Sequence, residues 1–411
     1  MDNNSPKFSV VIPVYNQAQY LSSAIDSVLS QTSHDYELIV VDDGSTDNSR
    51  EVVTQFGNQV RYIFQENKGL GGARNTGINA ARGEFIGLLD ADDQWLPTFL
   101  ETMIVLTNRY PEASVYYCCA QSMDADGNTL PQLFGGPVRH PDMMYQSLLR
   151  ANFLIPSTIL ARCSDIVTAG MFDQSTQDIH GCEDWDLWLR LALDHDFIGI
   201  NECLVRYRLH GSSLSANPAG MQRAARSVIE KHFGQDDGRL ETWSTVKRRA
   251  FGGVYRYHVL TSVHLQSDWD IAGSYLRRAL QTDPTLSIDL DLFYDLAHAN
   301  QPAGFRGSIY GVVIEGNVEK IYTMLLDVFN YSSGSKFNRL RHKTYGTANY
   351  ALGLVAYKLG NRSLSRNLYL KALLNRPELW SDKRLIENLI KSIFKQSTLE
   401  KIKQYRTQLL H

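Results

Sequence analysis

Three acids in four positions close the stretch "GEFIGLLDADDQW": Asp90, Asp92 and Asp93 follow a short apolar run. Like charges at one strand end repel and cost free energy where water is scarce, unless a cation or a polar ligand sits among them. Asp90 and Asp92 form a D-x-D pair whose hard oxygens suit Mg²⁺ or Mn²⁺ bridging two phosphates. A second pair, Asp42 and Asp43, ends "ELIVVDD" just before a turn. A third, Glu183 and Asp184 in "CEDWDLWLRLA", opens a predicted helix beside Trp185 and Trp188. An acid in a first turn ordinarily favours the helix dipole, but reduced solvent also raises its proton affinity toward that of a general base. His210, in "VRYRLHGSS", offers one nitrogen donor at a strand end. The chemistry these groups share is charge neutralisation on a phosphate and removal of a proton. Each taken alone has a simpler account, as an acidic turn capping the next helix, a first-turn acid or a structural histidine.

Two further stretches are weaker signals. "DADGN" begins like a calcium loop, but the later acids of that motif are missing, so a plain turn is expected. "NKGLGGARN" lacks the third glycine of a dinucleotide fingerprint; Gly69, Gly71 and Gly72 instead let backbone approach a ligand, with Arg74 on the helix that follows.

The elements that must position these groups alternate. "KFSVVIPVY" reads as a strand, and Leu21, Ala24, Ile25, Val28 and Leu29 then recur at helical spacing. "YELIVVDD", "VRYIFQ" and "EFIGLLD" repeat the pattern with helices between them, and Ser45 or Thr46 is placed to cap the second helix. Such alternation predicts a mostly parallel sheet covered on both faces, with ligands at the carboxyl ends of the strands. The polar clusters sit at those ends: "PVYN", Asp42 and Asp43, Asn67, and Asp90 to Asp93. Residues 120–160 are looser and include a predicted hairpin; a helix at "EDWDLWLRLAL" and β-rich "FIGINECLVRYRL" follow.

At 411 residues the chain is long enough for two domains. Strands become scarce after "GSSLSANPAG", so an α/β domain over 1–215 and an all-helical domain over 216–411 are expected. In the second, "SDWDIAGSYLRRALQTDP" and "GNRSLSRNLYLKALLNRP" resemble each other in the manner of tetratricopeptide-type helix pairs, the alternative being an unrelated helical bundle. With 43% hydrophobic residues and a formal charge of −3, the composition is that of a globular protein without a broad basic field, and no nucleic-acid partner is expected. Five cysteines without a CxxC pair, and no leader-like segment before them, point to a reducing cytoplasm. The longest apolar runs are far shorter than a bilayer span, so contact with the inner face of a membrane would be peripheral.

Taken in order, "SVVIPVYN", "SVLSQT", "ELIVVDDGSTD", "NKGLGGARNTGINAARGEFIGLLDADD" and "EDWDLWLRLA" resemble the family two glycosyltransferases, nucleotide-sugar enzymes of the GT-A fold, over about residues 7 to 215. The resemblance implies a metal-dependent, inverting transfer from a nucleoside diphosphate sugar, with UDP as the expected nucleotide and Mn²⁺ or Mg²⁺ as cofactor. It implies Asp92 as a direct metal ligand, Asp90 near the ribose or on the metal through water, Asp93 in support and His210 as third ligand. Asp43 would accept the uracil N3–H, which favours uridine over cytidine, with Pro13 and Tyr15 flanking the base. Asn16, Asp42 and Asn67 would line the nucleotide pocket, Arg74 would meet the uracil or the diphosphate, and Arg208 the diphosphate. Asp184 would be the general base, with Glu183 orienting it or holding the acceptor.

A processive or polyprenyl-phosphate-directed relative is disfavoured, because "QxxRW" does not follow the "EDW" motif. The alternative from another class is a non-catalytic sugar-nucleotide-binding scaffold whose helical half binds protein partners, and the intact set of Asp92, Asp184 and His210 argues against it. The expected acceptor is a glycan, glycolipid or protein, with self-association or a protein partner assigned to the helical domain.

Overall fold

The computed structural model describes residues 5–135, 138–175, 179–330 and 335–393. The chain forms two compact units, Met1–Asp236 and Asp237–His411.

Among the described residues the first unit carries nine strands: β1 (Phe8–Val14), β2 (Tyr36–Asp42), β3 (Arg61–Phe64), β4 (Phe85–Leu88), β5 (Gln94–Trp95), β6 (Val115–Met123), β7 (Thr129–Phe134), β8 (Ile159–Arg162) and β9 (Phe197–Arg208). Its helices are α1 (Ala18–Leu29), α2 (Ser49–Thr54), α3 (Gly69–Ala80), α4 (Phe99–Arg109), α5 (Met144–Arg150), α6 (Cys163–Thr168), α7 (Glu183–Asp194) and α8 (Pro218–Phe233). The strand order is β3-β2-β1-β4-β8-β6-β9-β5, with β7 paired to β6. β1 to β4 pair in parallel, as the alternation predicts. The rest is mixed: β8 runs antiparallel to β4 and β6, while β9 is parallel to β6 and antiparallel to β5. This is the expected α/β architecture, with a larger antiparallel share than strand–helix alternation implies.

Central β1, "FSVVIPV", is buried along its whole length, because parallel neighbours flank it and helices cover it. α3 approaches closely because residue 77 is glycine; a Cβ there would collide with Val11 of β1. Leu21, Ala24, Ile25 and Val28 bury one face of α1 against the sheet core. The predicted cap does not form. Asn48 opens α2 without a side-chain hydrogen bond, while Ser45 and Thr46 bond Asn16 across the turn. The "DADGN" stretch is a tight turn between β6 and β7, in which Asp124 Oδ1 accepts the N–H groups of Asp126 and Asn128.

The boundary after Asp236 lies beyond the expected 215/216 division, because α8 packs with the first unit. Asp186 of α7 is fully buried and bonds Arg190, Lys231 and His232, the last two from α8, at 2.8, 2.9 and 3.0 Å. Lys231 also reaches Asp173 at 2.5 Å. Against the upward pull of burial, the hydrogen bonds from His232 and Lys231 and the Arg190 charge hold the Asp186 carboxyl well below the usual range.

The second unit is helical: α9 (Thr245–Gln266), α10 (Trp269–Thr282), α11 (Leu290–Ala297), α12 (Ile314–Asn330), α13 (Ser335–Lys358), α14 (Arg362–Asn375) and α15 (Lys383–Ile393). The two similar segments extend into a longer repeat. A positive-φ residue, Ser267 or Gly360, ends one helix. Asp268 or Asn361 then caps α10 or α14. A five-residue 3₁₀ turn starts at Pro284 or Pro377. Asp289 or Asp382 then accepts the N–H of Leu292 or Leu385 at the start of α11 or α15. Every equivalent pair is 93 positions apart. Among the described residues no helix is long and apolar enough to cross a membrane, and none of the five cysteines is in a disulfide.

Candidate active site

The carboxyl ends of β1, β2 and β4, the start of α7 and the end of β9 converge on the predicted groups. The three acids of "DADD" each find a different partner. Asp90 Oδ1 accepts Arg74 Nη2 at 2.6 Å. Asp92 Oδ2 lies 2.9 Å from His210 Nε2, and the other ring nitrogen lies 2.8 Å from Ser212 Oγ. Asp93, with no exposed surface, accepts Ser157 Oγ at 2.5 Å and Arg208 N–H at 2.9 Å. Ser157 Oγ in turn accepts the Asp90 N–H at 3.1 Å. Burial, and then the charges of Asp92 and Asp90, push the Asp93 carboxyl well above its usual range.

Arg74 is the hub. It is 1% exposed, and its second terminal nitrogen donates to Glu183 Oε1 at 3.1 Å. Its guanidinium lies 5.3 Å from the Phe172 ring, and Nε has no hydrogen-bond partner among the described residues. One buried side chain therefore ties the acids after β4 to those opening α7. Glu183 Oε2 also accepts the Gly181 N–H at 2.7 Å. Asp184, 8% exposed, accepts Asn152 Nδ2 at 3.1 Å and the Trp185 N–H at 2.7 Å. Burial first, and the neighbouring Glu183 charge second, raise its pKa to about 7.

On the other side, Asp43 Oδ1 accepts Gln65 Nε2 at 2.6 Å and Lys68 N–H at 2.8 Å. Asp42 is buried with internal partners, the Ser45 N–H and the Tyr62 hydroxyl. Asn16, at φ +52°, accepts the Thr46 N–H at 2.7 Å and so pins the loops after β1 and β2 together. Asn67 Oδ1 accepts the Gly69 N–H where α3 begins. Of the two residues expected to flank a base, Tyr15 is 51% exposed and Pro13 is buried within β1.

Two of the expected residues have protein partners of their own. Asp90 is bonded by Arg74, while Asp92 faces His210; among the described residues no group of three His, Cys, Asp or Glu stands ready-formed around one point. Arg208, expected at a diphosphate, is 4% exposed and donates to the carbonyls of Asp92, Asp124 and Ala125, fastening the acidic turn to the β6–β7 hairpin. Sequence inspection missed Ser157, Asn152 and Gln65, which carry no motif, and the clamp of Lys231 and His232 on Asp186. A cavity of about 330 Å³ lined by Asp35, Glu37 and Arg82 lies at the opposite, amino end of the strands and shares none of these groups.

The chain belongs to glycosyl transferase family 2. The family's model matches residues 9–166. An uncharacterized glycosyltransferase of Nostoc sp. is 35% identical over 236 residues, which cover 54% of this chain and 71% of that one. One of Rickettsia prowazekii is 31% identical over 217 residues, covering 51% of this chain and 65% of the relative. Chondroitin synthase of Escherichia coli is 30% identical over 231 residues, 56% of this chain but 32% of that protein. The chain thus spans less than two thirds of the Rickettsia relative's length and about a third of the synthase's.

Proposed function

We propose that the first unit moves a sugar from a uridine diphosphate donor to a hydroxyl acceptor with inversion at the anomeric carbon. The observation that carries this is the Arg74 bridge. It fixes the acids after β4, on the donor side, to the acids opening α7, on the acceptor side, as one preorganised set.

Asp184 takes the proton of the acceptor hydroxyl; a carboxyl with pKa about 7 is matched to that task near neutral pH. Glu183, held by Arg74 and Gly181, positions it. Asp43 accepts the uracil N3–H beside exposed Tyr15, and Gln65 and Lys68 keep its carboxylate oriented.

Asp92 and His210 present a hard oxygen and an imidazole nitrogen, a donor pair that suits Mn²⁺ or Mg²⁺. Burial chiefly, and then the charges of Asp92 and Asp90, lift the Asp93 carboxyl, and the second of these is of the kind a cation relieves. Asp92 and His210 would hold such an ion, which would supply charge neutralisation for a diphosphate. Family membership supports the reaction class, and chondroitin synthase among the relatives supports a glycan product. The test is a panel of UDP-, GDP- and dTDP-sugars with purified protein, read by calorimetric binding and by sugar transfer. Preference for a non-uridine donor would overturn the uracil contact, and binding without any transfer or hydrolysis would overturn catalysis.

A further inference from the structure

The formal charge of −3 conceals a local imbalance. Residues 331–377 contain nine Lys and Arg and no Asp or Glu, whereas the rest of the chain carries 32 basic against 44 acidic residues. The absence of a broad basic field thus holds for the chain as a whole and fails over α13 and α14.

Within this segment's reach lies a groove of about 310 Å³, lined by Tyr322 and Leu326 of α12, Arg341, His342 and Tyr345 of α13, and Asn375 of α14. The Lys371 ammonium lies 5.4 Å from the Tyr322 ring centre, and the Arg341 guanidinium 5.8 Å from that of Tyr345. The two rings are 6.1 Å apart at 60°. Cations resting on aromatic faces are held in place rather than swinging freely in solvent. Arg341 and His342 are exposed.

We propose that this groove binds an acidic glycan, a saccharide segment bearing carboxylate or phosphate groups, so that the second unit retains the acceptor that the first extends. The proposal rests on the glycosyl-transfer function above. A guanidinium fork matches carboxylate or phosphate oxygens, and the Asn375 amide, which donates one N–H to the Lys371 carbonyl and faces His342 Nδ1 with its oxygen, keeps a second N–H for a sugar hydroxyl. The volume falls at the lower end of small-ligand sites, which run from about 300 to 1,000 Å³. A bilayer surface would call for a protruding apolar face and not a cationic concavity, and a nucleic acid would call for a longer basic stripe.

The test uses the full chain and fluorescence anisotropy with a labelled oligogalacturonate, a neutral dextran oligosaccharide of equal length, a single-stranded oligonucleotide, and vesicles of phosphatidylglycerol. The oligogalacturonate should bind and the dextran should not. Arg341→Ala with Lys371→Ala should weaken binding by about tenfold or more, the loss of two charge-assisted contacts. Lys391→Ala, on α15, should change nothing. Equal binding of dextran, tighter binding of the oligonucleotide or the vesicles, or an unchanged affinity in a double variant of normal melting temperature would each overturn the proposal. UDP affinity with Mn²⁺, measured on the same preparations, separates the two claims: intact UDP binding with no oligogalacturonate binding removes the groove alone, and the reverse removes the donor site alone.

Discussion

Asp92 and His210 stand 2.9 Å apart although 118 residues separate them. The turn after β4 carries one and the end of β9 the other, and two strands, β8 and β6, lie between β4 and β9 in the sheet. Their meeting is a product of the whole sheet, and the proposed function assigns them as the donor pair for a divalent ion. UDP is therefore expected to bind tightly only with Mn²⁺ or Mg²⁺, and Asp92→Ala and His210→Ala should each abolish the metal's contribution. Titration calorimetry with and without metal checks this; equal affinities in wild type would sink it.

Asp184→Asn should lower turnover by about 10² to 10⁴, the usual worth of a positioned base, while leaving UDP affinity within a few fold. In wild type the rate should rise through about pH 7 as Asp184 ionises. Stability runs the other way. A carboxyl raised from 3.8 to about 7 on folding stabilises the protonated native state, and that contribution is lost as pH climbs from 4 through 7. The Asn variant should accordingly be more stable than wild type at pH 8, by on the order of 1 to 4 kcal/mol, with the gap closing near pH 4. Glu183→Gln is the control; full turnover in Asp184→Asn with loss in Glu183→Gln would place the base one residue earlier.

Arg74→Met strands two carboxylates, Asp90 and Glu183, around a buried site. Removing one member of a buried ionic set costs about 3 to 5 kcal/mol, readable as a shifted urea midpoint. Adding Asp90→Asn and Glu183→Gln to the Met variant should recover much of that loss without recovering transfer. A single variant as stable as wild type would show that the bridge is not formed in solution.

Asp43→Ala should weaken UDP and UMP alike, by about 1.5 to 3 kcal/mol for one charge-assisted contact, since the base and not the phosphates loses its partner. Unchanged UMP affinity in a variant of normal melting temperature would reduce Asp43 to an organiser of Gln65 and Lys68.

Much of this arrangement is legible in the chain itself, for local reasons. Apolar runs of strand length and the spacing of Leu21, Ala24, Ile25 and Val28 are set by nearest neighbours, so β1 to β4, α1, α3 and α7 are readable. Acids at strand ends betray a site because burial makes them costly anywhere else. What escapes is non-local. Arg74 looks like a surface or phosphate-binding arginine until Glu183, 109 positions away, closes on it. Ser157 and Asn152 sit in the loose stretch where no pattern marks a hydroxyl or an amide as special. Two-residue β5 and the parallel pairing of β6 with β9 are likewise fixed by tertiary partners and leave no periodicity to detect.

The repeat in the second unit has an architectural consequence. Each copy closes itself with its own αL turn, side-chain caps and proline stop, all local in sequence. A segment that terminates itself in this way can be duplicated or deleted as a block without redrawing the helices beside it, in the manner of solenoid arrays. The length of the helical half is then variable by whole modules, independently of the α/β unit's own fold.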